Sequence, residues 1–204
     1  MRAQEFIAEG FIPDHFRKRL AQQGYKFLGQ GVDQAAFTVP NNPNIVLKIF
    51  GYGEWGDDSS HKMFFRWAKF CQKNSNNPYL PKFSGFQKVK IDDETYIMMC
   101  QERLAHNKVI GNAVADLAQI AETINFKGKY GQPSSVKDYK DDTMYQDTVD
   151  ILERVGVNVK ELFKTLVKLV KIGDSQGYDW DMHSYNVMVR PNGQPVIVDP
   201  WAIS

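Results

Sequence analysis

The hydrophobic pattern of this chain changes once, near Asn107, and that change restricts the fold more than any other feature. Before it, short apolar runs alternate with glycine, proline and asparagine turns, a pattern typical of antiparallel strands. A short amphipathic helix at residues 6–23, with a start signal at Pro13 and Asp14, precedes these runs, and a second helical repeat covers residues 58–72. The strand-like runs are residues 25–28, 35–39, 45–49, 85–91 and 95–100. We therefore expect a five-stranded antiparallel sheet with one helix inserted in it.

Beyond Asn107 the apolar residues recur at helical spacing. They predict one helix at residues 110–125 and a long one at 143–173, with a polar loop at 127–142 between them. The broad apolar face of the long helix indicates core rather than a partner groove. An Asn192-Gly193 pair near the end is a hairpin signal between two short strands. The fold class is therefore α+β.

Length and composition are those of a globular protein. We expect one domain over residues 1–204, with the sheet in residues 1–100 and a smaller, mainly helical part in residues 101–204. Lys and Arg number 25 against 24 Asp and Glu, so the formal charge of +1 argues against direct nucleic-acid binding or an anionic membrane surface. The sequence shows no secretory signal pattern, which favours the cytoplasm. Cys71 and Cys100 sit in apolar surroundings and are expected to be free thiols.

The segment from Asp181 to Asn186, with Asp199 after it, carries the residue types that phosphoryl transfer needs. Asp181 stands five residues before Asn186, a spacing that suits a carboxylate base followed by a metal-binding amide. Asp199 follows an apolar strand that the Asn192-Gly193 turn would return to the same place. Each residue alone more often caps a turn or ends a strand. Their combination favours a catalytic site.

Two features upstream fit the same chemistry. Gly29-Gln30-Gly31 lies between strand-like runs, where glycine lets backbone N–H groups approach a triphosphate. The following run is strand-like rather than helical, which argues against a dinucleotide-binding fold. Lys48 interrupts the apolar run 45–49. A lysine in a strand is usually a surface residue, but facing a nucleotide it would bind the phosphates.

Together these segments resemble the protein-kinase-like superfamily and, more closely still, the early Ser/Thr protein kinases of T7-like podophages. The resemblance extends from about residue 25 to residue 201, with long unmatched stretches between its blocks. His183 stands where typical protein kinases carry lysine, a form shared with aminoglycoside and choline phosphotransferases. The matching blocks are Leu28-Gly29-Gln30-Gly31, Val46-Leu47-Lys48, Asp181-Met182-His183-Ser184-Tyr185-Asn186 and Val198-Asp199-Pro200.

The resemblance implies a compact two-lobed kinase fold that binds ATP and Mg²⁺ and phosphorylates Ser or Thr of host proteins during phage takeover. Asp181 would be the catalytic base, His183 a donor to the transferred phosphoryl group, and Asn186 and Asp199 the Mg²⁺ ligands. The backbone of residues 98–101 would form the hinge that reads adenine. The residues implied to bind the nucleotide are Gly29, Gln30, Gly31, Ala36, Val46, Lys48, Met99 and Cys100.

The chain departs from the kinase pattern in several places. Gln34 replaces the third glycine of the loop, and Trp201 the last residue of the D-F-G motif. The helix after Lys48 offers no Glu to pair with it, so Glu54, Asp57 or Asp58 would have to serve. The sequence also lacks an A-P-E motif, so we expect no regulation by an activation loop.

These departures keep two alternatives open. One is a small-molecule phosphotransferase of the aminoglycoside or choline kinase type. The other is a pseudokinase that binds and inhibits a host protein. The sequence does not decide the oligomeric state or name the substrate.

Overall fold

The structure, a computed structural model, describes residues 12–30, 34–52, 60–130, 135–139 and 142–203, without the side chains of residues 51, 52, 60, 61, 94 and 136. The chain divides into two compact units. The first comprises Met1–Ala68 and Lys82–Arg103, and the second comprises Lys69–Pro81 and Leu104–Ser204. None of the helices described is long and apolar enough to cross a membrane.

The first unit is built on a five-stranded antiparallel sheet in the order β1-β2-β3-β5-β4, which confirms the predicted sheet and the α+β class. Two of its turns place non-glycine residues in the left-handed region, Asn41 with φ of 59° and Asp92 with φ of 54°. Asparagine and aspartate tolerate this conformation best, so the turn chemistry agrees with the sequence. The strands are β1 Phe27–Gln30, β2 Gln34–Val39, β3 Asn42–Tyr52, β4 Phe83–Ile91 and β5 Glu94–Glu102.

Helix α1, Asp14–Gln22, covers one face of this sheet. Its Phe16 and Leu20, with Ile12 before it, belong to a buried cluster that includes Phe37 and Ile49 of the sheet. The helix begins directly after Pro13, where proline's missing N–H is not needed. The predicted helix is confirmed from Asp14 onward, and its first part lies outside the described residues.

Helix α2, Ser60–Lys73, provides apolar side chains for the opposite face. Phe64 stacks on Phe50 of β3, with ring centroids 4.4 Å apart, and meets Phe83 of β4 edge to face at 5.8 Å. Trp67 and Cys71 of the same helix are buried. Both cysteines are free, as predicted, and burial raises the pKa of the Cys71 thiol.

The second unit contains three long helices, α3 Lys108–Lys129, α4 Thr143–Arg154 and α5 Val159–Gln176. Helix α3 begins at Asn107, whose side chain accepts hydrogen bonds from two backbone N–H groups of the first turn. It runs past the predicted end at residue 125 into the segment predicted as a loop. Part of that segment, Val136–Tyr139, is a short 3₁₀ helix.

The prediction of one long helix at residues 143–173 is wrong. Two helices occupy this stretch, and the chain breaks between them at Gly156, whose φ of +79° is left-handed. Asn158 then caps α5 by accepting a hydrogen bond from Glu161 N–H at 3.2 Å. The predicted apolar face is buried as expected, with Leu162, Leu166 and Leu169 fully inside.

Candidate active site

The segment from residue 179 to residue 202 folds as two small antiparallel ladders. Strands β7 Val187–Val189 and β8 Pro195–Ile197 form a hairpin. Strands β6 Asp179–Trp180 and β9 Trp201–Ala202 form the second ladder. Gly193 takes a φ of +84° in the hairpin turn, which confirms the predicted Asn-Gly turn. The loop after β6 and the segment after β8 therefore run between two fixed ladders.

Two backbone hydrogen bonds place Asp199 opposite the loop that follows β6. Asp181 N–H donates to the carbonyl of Pro200 at 3.0 Å, and Val198 N–H donates to the carbonyl of Asn186 at 2.9 Å. Asp199 is the residue between these two bonded positions. The structure therefore brings together the three residues that the sequence separates by up to eighteen positions.

The side chains of Asp181, His183 and Asn186 contact one another. Asn186 Nδ2 donates to the backbone carbonyl of Asp181 at 2.6 Å and to its carboxylate Oδ2 at 3.2 Å. His183 Nε2 lies 3.7 Å from the other carboxylate oxygen, Oδ1. Tyr185 N–H donates to His183 Nδ1 at 3.3 Å, and His183 Nε2 lies 3.2 Å from Asn186 Nδ2. Asn186 thereby orients the carboxylate, and the imidazole lies beside both groups.

This arrangement suits Mg²⁺ better than a metal that takes all of its ligands from protein side chains. Among the residues described, no group of three or more His, Cys, Asp and Glu side chains could hold a metal. Mg²⁺ usually takes one or two carboxylates together with substrate phosphates and water. Because Asn186 uses its amide nitrogen on Asp181, its Oδ1 is left to accept, and the backbone of Asp199 lies beside the loop, between two hydrogen-bonded neighbours. An amide oxygen and a carboxylate are the kinds of ligand that Mg²⁺ takes.

The first unit brings several of the predicted nucleotide-binding residues into one row. Gly29 pairs with Ala36, Ala36 with Lys48, and Lys48 with Met99 across four neighbouring strands. Residues paired across antiparallel strands point to the same face, and Val46, two residues before Lys48, shares it.

This face differs from the one beneath α1. Ala36, Val46 and Lys48 are only partly buried, whereas Ala35 and Leu47 on the α1 face are fully buried. Lys48 Nζ lies 5.3 Å from the centre of the Phe64 ring. A half-buried apolar surface next to a lysine is chemically suited to a purine nucleotide.

Two of the predicted nucleotide-binding residues fall on the opposite face of the sheet, and a third lies outside the described residues. Gln30 bonds through its side chain to Arg17 of α1 at 2.5 Å, on the face away from Lys48. Cys100 also lies on the α1 face, packed against the core there. Gly31 lies outside the described residues, as do Glu54, Asp57 and Asp58, the partners predicted for Lys48.

The predicted hinge at residues 98–101 is wrong in position. These residues lie inside β5, which pairs with β3 as far as Glu102 and with β4 on its other side. Ladder hydrogen bonds use the backbone groups that a hinge would present to adenine. The boundary between the units along the chain follows Arg103, just after the strand ends.

A cavity of about 380 Å³ adjoins the Asp181 loop in the second unit and was not foreseen from the sequence. Two carboxylates of α3, Asp116 and Glu122, belong to its wall, and desolvation raises the pKa of each. Six residues along a helix place the two side chains about 120° apart around its axis, so no sequence pattern pairs them. The lining residues are Ala115, Asp116, Gln119, Glu122, Trp180, Met182, His183 and Ser184.

The sequence was compared with curated proteins and with protein-family models. No curated protein matches the chain. The family model described as bacteriophage T7 protein kinase 0.7 matches residues 4–204, nearly the whole sequence. The match includes the Lys48 row, the Asp181 loop and Asp199, and it confirms the resemblance stated from the sequence. The chain therefore belongs to the bacteriophage T7 protein kinase 0.7 family.

Proposed function

We propose that this protein is a Mg²⁺- and ATP-dependent Ser/Thr protein kinase that phosphorylates host proteins in the cytoplasm of an infected cell. Membership of a phage protein kinase family assigns it to the phosphotransferases. The observation that carries the finer proposal is the Asp181 loop, in which a carboxylate, an imidazole and an amide contact one another opposite Asp199.

Asp181 is the base in this proposal. Its carboxylate takes the proton of the substrate hydroxyl while the hydroxyl oxygen forms a bond to the γ-phosphorus of ATP. The bond from that phosphorus to the bridging oxygen breaks, and ADP leaves. The amide of Asn186 holds the carboxylate by one oxygen, so the other oxygen can face the substrate.

His183 stabilises the transferred group. Tyr185 N–H holds the imidazole through Nδ1, and Nε2 lies on the side of the Asp181 carboxylate. A donor at this position can bond to a phosphoryl oxygen as negative charge spreads over it. The imidazole is half exposed, which leaves it accessible to a substrate.

Asn186 and Asp199 are the proposed Mg²⁺ ligands, and the ion would neutralise charge on the phosphates. On the sheet of the first unit, Lys48 binds the α- and β-phosphates of ATP, and the partly exposed Ala36 and Val46 contact the base. Gly29 lies in the same row, and no described atom lies within 4 Å of the position of an added Cβ. That open space would accommodate the phosphates.

A second candidate is a phosphotransferase that acts on a small cationic substrate. The observation that favours it is the cavity beside His183, because Asp116 and Glu122 on its wall would attract a positive charge. Small-molecule phosphotransferases of the aminoglycoside and choline type act on substrates of this charge. A pseudokinase, the third possibility, would not require Lys48, Asp181, Asn186 and Asp199 together.

The experiment is transfer of γ-labelled phosphate from ATP with Mg²⁺ into a bacterial host lysate and, separately, into aminoglycosides and choline. Wild type is compared with Asp181→Asn and with Asp147→Asn, a matched change at an exposed aspartate of α4. The kinase proposal expects labelled proteins that disappear only with Asp181→Asn. Label in the small molecules alone would favour the second candidate, and no transfer to either would refute both.

A further inference from the structure

Gln101 of β5 has a buried side chain with an unsatisfied acceptor. The residue is 3% exposed. Its Oε1 is fully buried and accepts no hydrogen bond from the residues that the structure describes. Most buried side-chain oxygens in proteins accept a hydrogen bond, so this unpaired oxygen needs an explanation.

The strand register shows why no neighbouring side chain supplies the donor. Gln101 is paired with Val46 of β3 on one side and with Phe83 of β4 on the other. Met99, two residues earlier on the same strand, shares its face and is buried. All three side chains are apolar, so none of them supplies a donor, and the oxygen is left as an acceptor for a bound molecule.

Gln101 lies on the face of the sheet that carries Lys48. Val46 stands two residues from Lys48, about 7 Å along the strand, and Gln101 is directly opposite Val46. In the other direction Phe50 is buried beneath the stacked ring of Phe64. The described residues therefore favour the side of Val46 and Gln101 for the base of a nucleotide whose phosphates meet Lys48.

We propose that Gln101 Oε1 accepts a hydrogen bond from the 6-amino group of adenine and so makes the protein select ATP over GTP. Guanine carries a carbonyl oxygen at that position, which would face the Gln101 oxygen acceptor to acceptor. This inference rests on the proposed function, since it assumes that a purine nucleotide binds at Lys48. The base would then be recognised by a side chain of β5, whereas the sequence suggested recognition by the backbone of residues 98–101.

The test measures the affinity of ATP, GTP and purine riboside triphosphate, which lacks the 6-amino group, by displacement of a fluorescent ATP analogue. The proteins are wild type, Gln101→Leu and Gln87→Leu, the last a control at an exposed glutamine of the same sheet. In wild type, loss of the 6-amino group is expected to weaken binding about tenfold. Gln101→Leu should bind ATP and the purine analogue equally, whereas Gln87→Leu should behave as wild type.

The outcomes separate this inference from the proposed function. If wild type binds ATP but Gln101→Leu still distinguishes ATP from the purine analogue, Gln101 does not read the amino group and the inference is overturned alone. If wild type binds no nucleotide, both fail. Should Gln101→Leu not fold, Gln101→Met preserves the side-chain length, and equal binding of ATP and the purine analogue by wild type overturns the inference without any variant.

Discussion

The Asp181 loop packs directly against a glycine of α3, and a methyl group added at this glycine should displace the loop. Gly111 is buried in the first turn of that helix. A Cβ at Gly111 would lie 2.7 Å from the carbonyl oxygen of Ser184 and 3.3 Å from its Cβ. Ser184 stands between Asp181 and Asn186, and a backbone oxygen cannot rotate away. We therefore expect Gly111→Ala to displace the loop.

The size of the effect follows from two opposing terms. Alanine favours a helix over glycine by about 1 kcal/mol, whereas overpacking costs about 1–3 kcal/mol. The net loss in unfolding free energy is then about 0–2 kcal/mol. Relieving the contact to 3.0 Å needs a shift of at least 0.3 Å, from 3.0 − 2.7. Since a misplacement of about 1 Å costs about 100-fold, a shift on this smaller scale should lower the phosphotransfer rate about 3- to 10-fold.

The assay is urea unfolding together with phosphate transfer from γ-labelled ATP. Gly128→Ala near the end of the same helix is the control, because no described atom lies within 4 Å of its added Cβ. The control should keep full activity and at least the stability of wild type. Wild-type activity in Gly111→Ala would show that the loop does not depend on this contact, and would refute the argument.

Four further changes test other parts of the account. Lys48→Met should lower phosphotransfer about 100-fold by removing a charge from the phosphates, with an unchanged melting temperature, measured by transfer assay and calorimetry. Gly29→Ala should leave the melting temperature unchanged, because its Cβ meets open space, yet raise the KM for ATP. Tyr79→Phe removes a hydroxyl that donates to the Asn158 carbonyl at 2.8 Å and should cost about 1 kcal/mol in urea unfolding. Desolvation raises the pKa of Asp116 in the folded protein, so its charged form disfavours folding. Asp116→Asn should therefore stabilise the protein at neutral pH. This gain should disappear as pH falls from the raised pKa to below the ordinary pKa of aspartate. A gain that persists in acid would contradict this reasoning.

The sheet could be predicted from the sequence because its signals are local. Each strand is an apolar run, and the turns at Asn41 and Asp92 use residues that tolerate a positive φ. Strand ends were harder to predict, since the run that ends at Cys100 does not show how far pairing continues. Because Ile45 pairs with Glu102, β5 continues to that residue, and residues 98–101 lie inside the strand rather than in a hinge.

The break between α4 and α5 shows a different difficulty. Apolar residues continue at helical spacing across the break, and this spacing alone predicts one continuous helix. Gly156 and Asn158 are a helix stop and a helix cap, and the structure uses both. Local chemistry decided the boundary.

The candidate site was predictable where a short motif fixes the geometry. Asp181 and Asn186 contact each other because five residues of loop suffice to bring them together. Gln101 and Asp116 carry no such motif. The first matters through an unpaired oxygen and the second through a cavity wall, and both properties arise only from tertiary packing.

The most direct test of the central claim compares ATP binding with phosphate transfer in Asp181→Asn. Asp181 is proposed to act in the chemical step and to take no part in holding the nucleotide. We therefore expect the variant to bind ATP and Mg²⁺ with wild-type affinity while incorporation of label into substrate falls by at least about 100-fold. Incorporation at the wild-type rate would contradict the assignment of this loop as the active site.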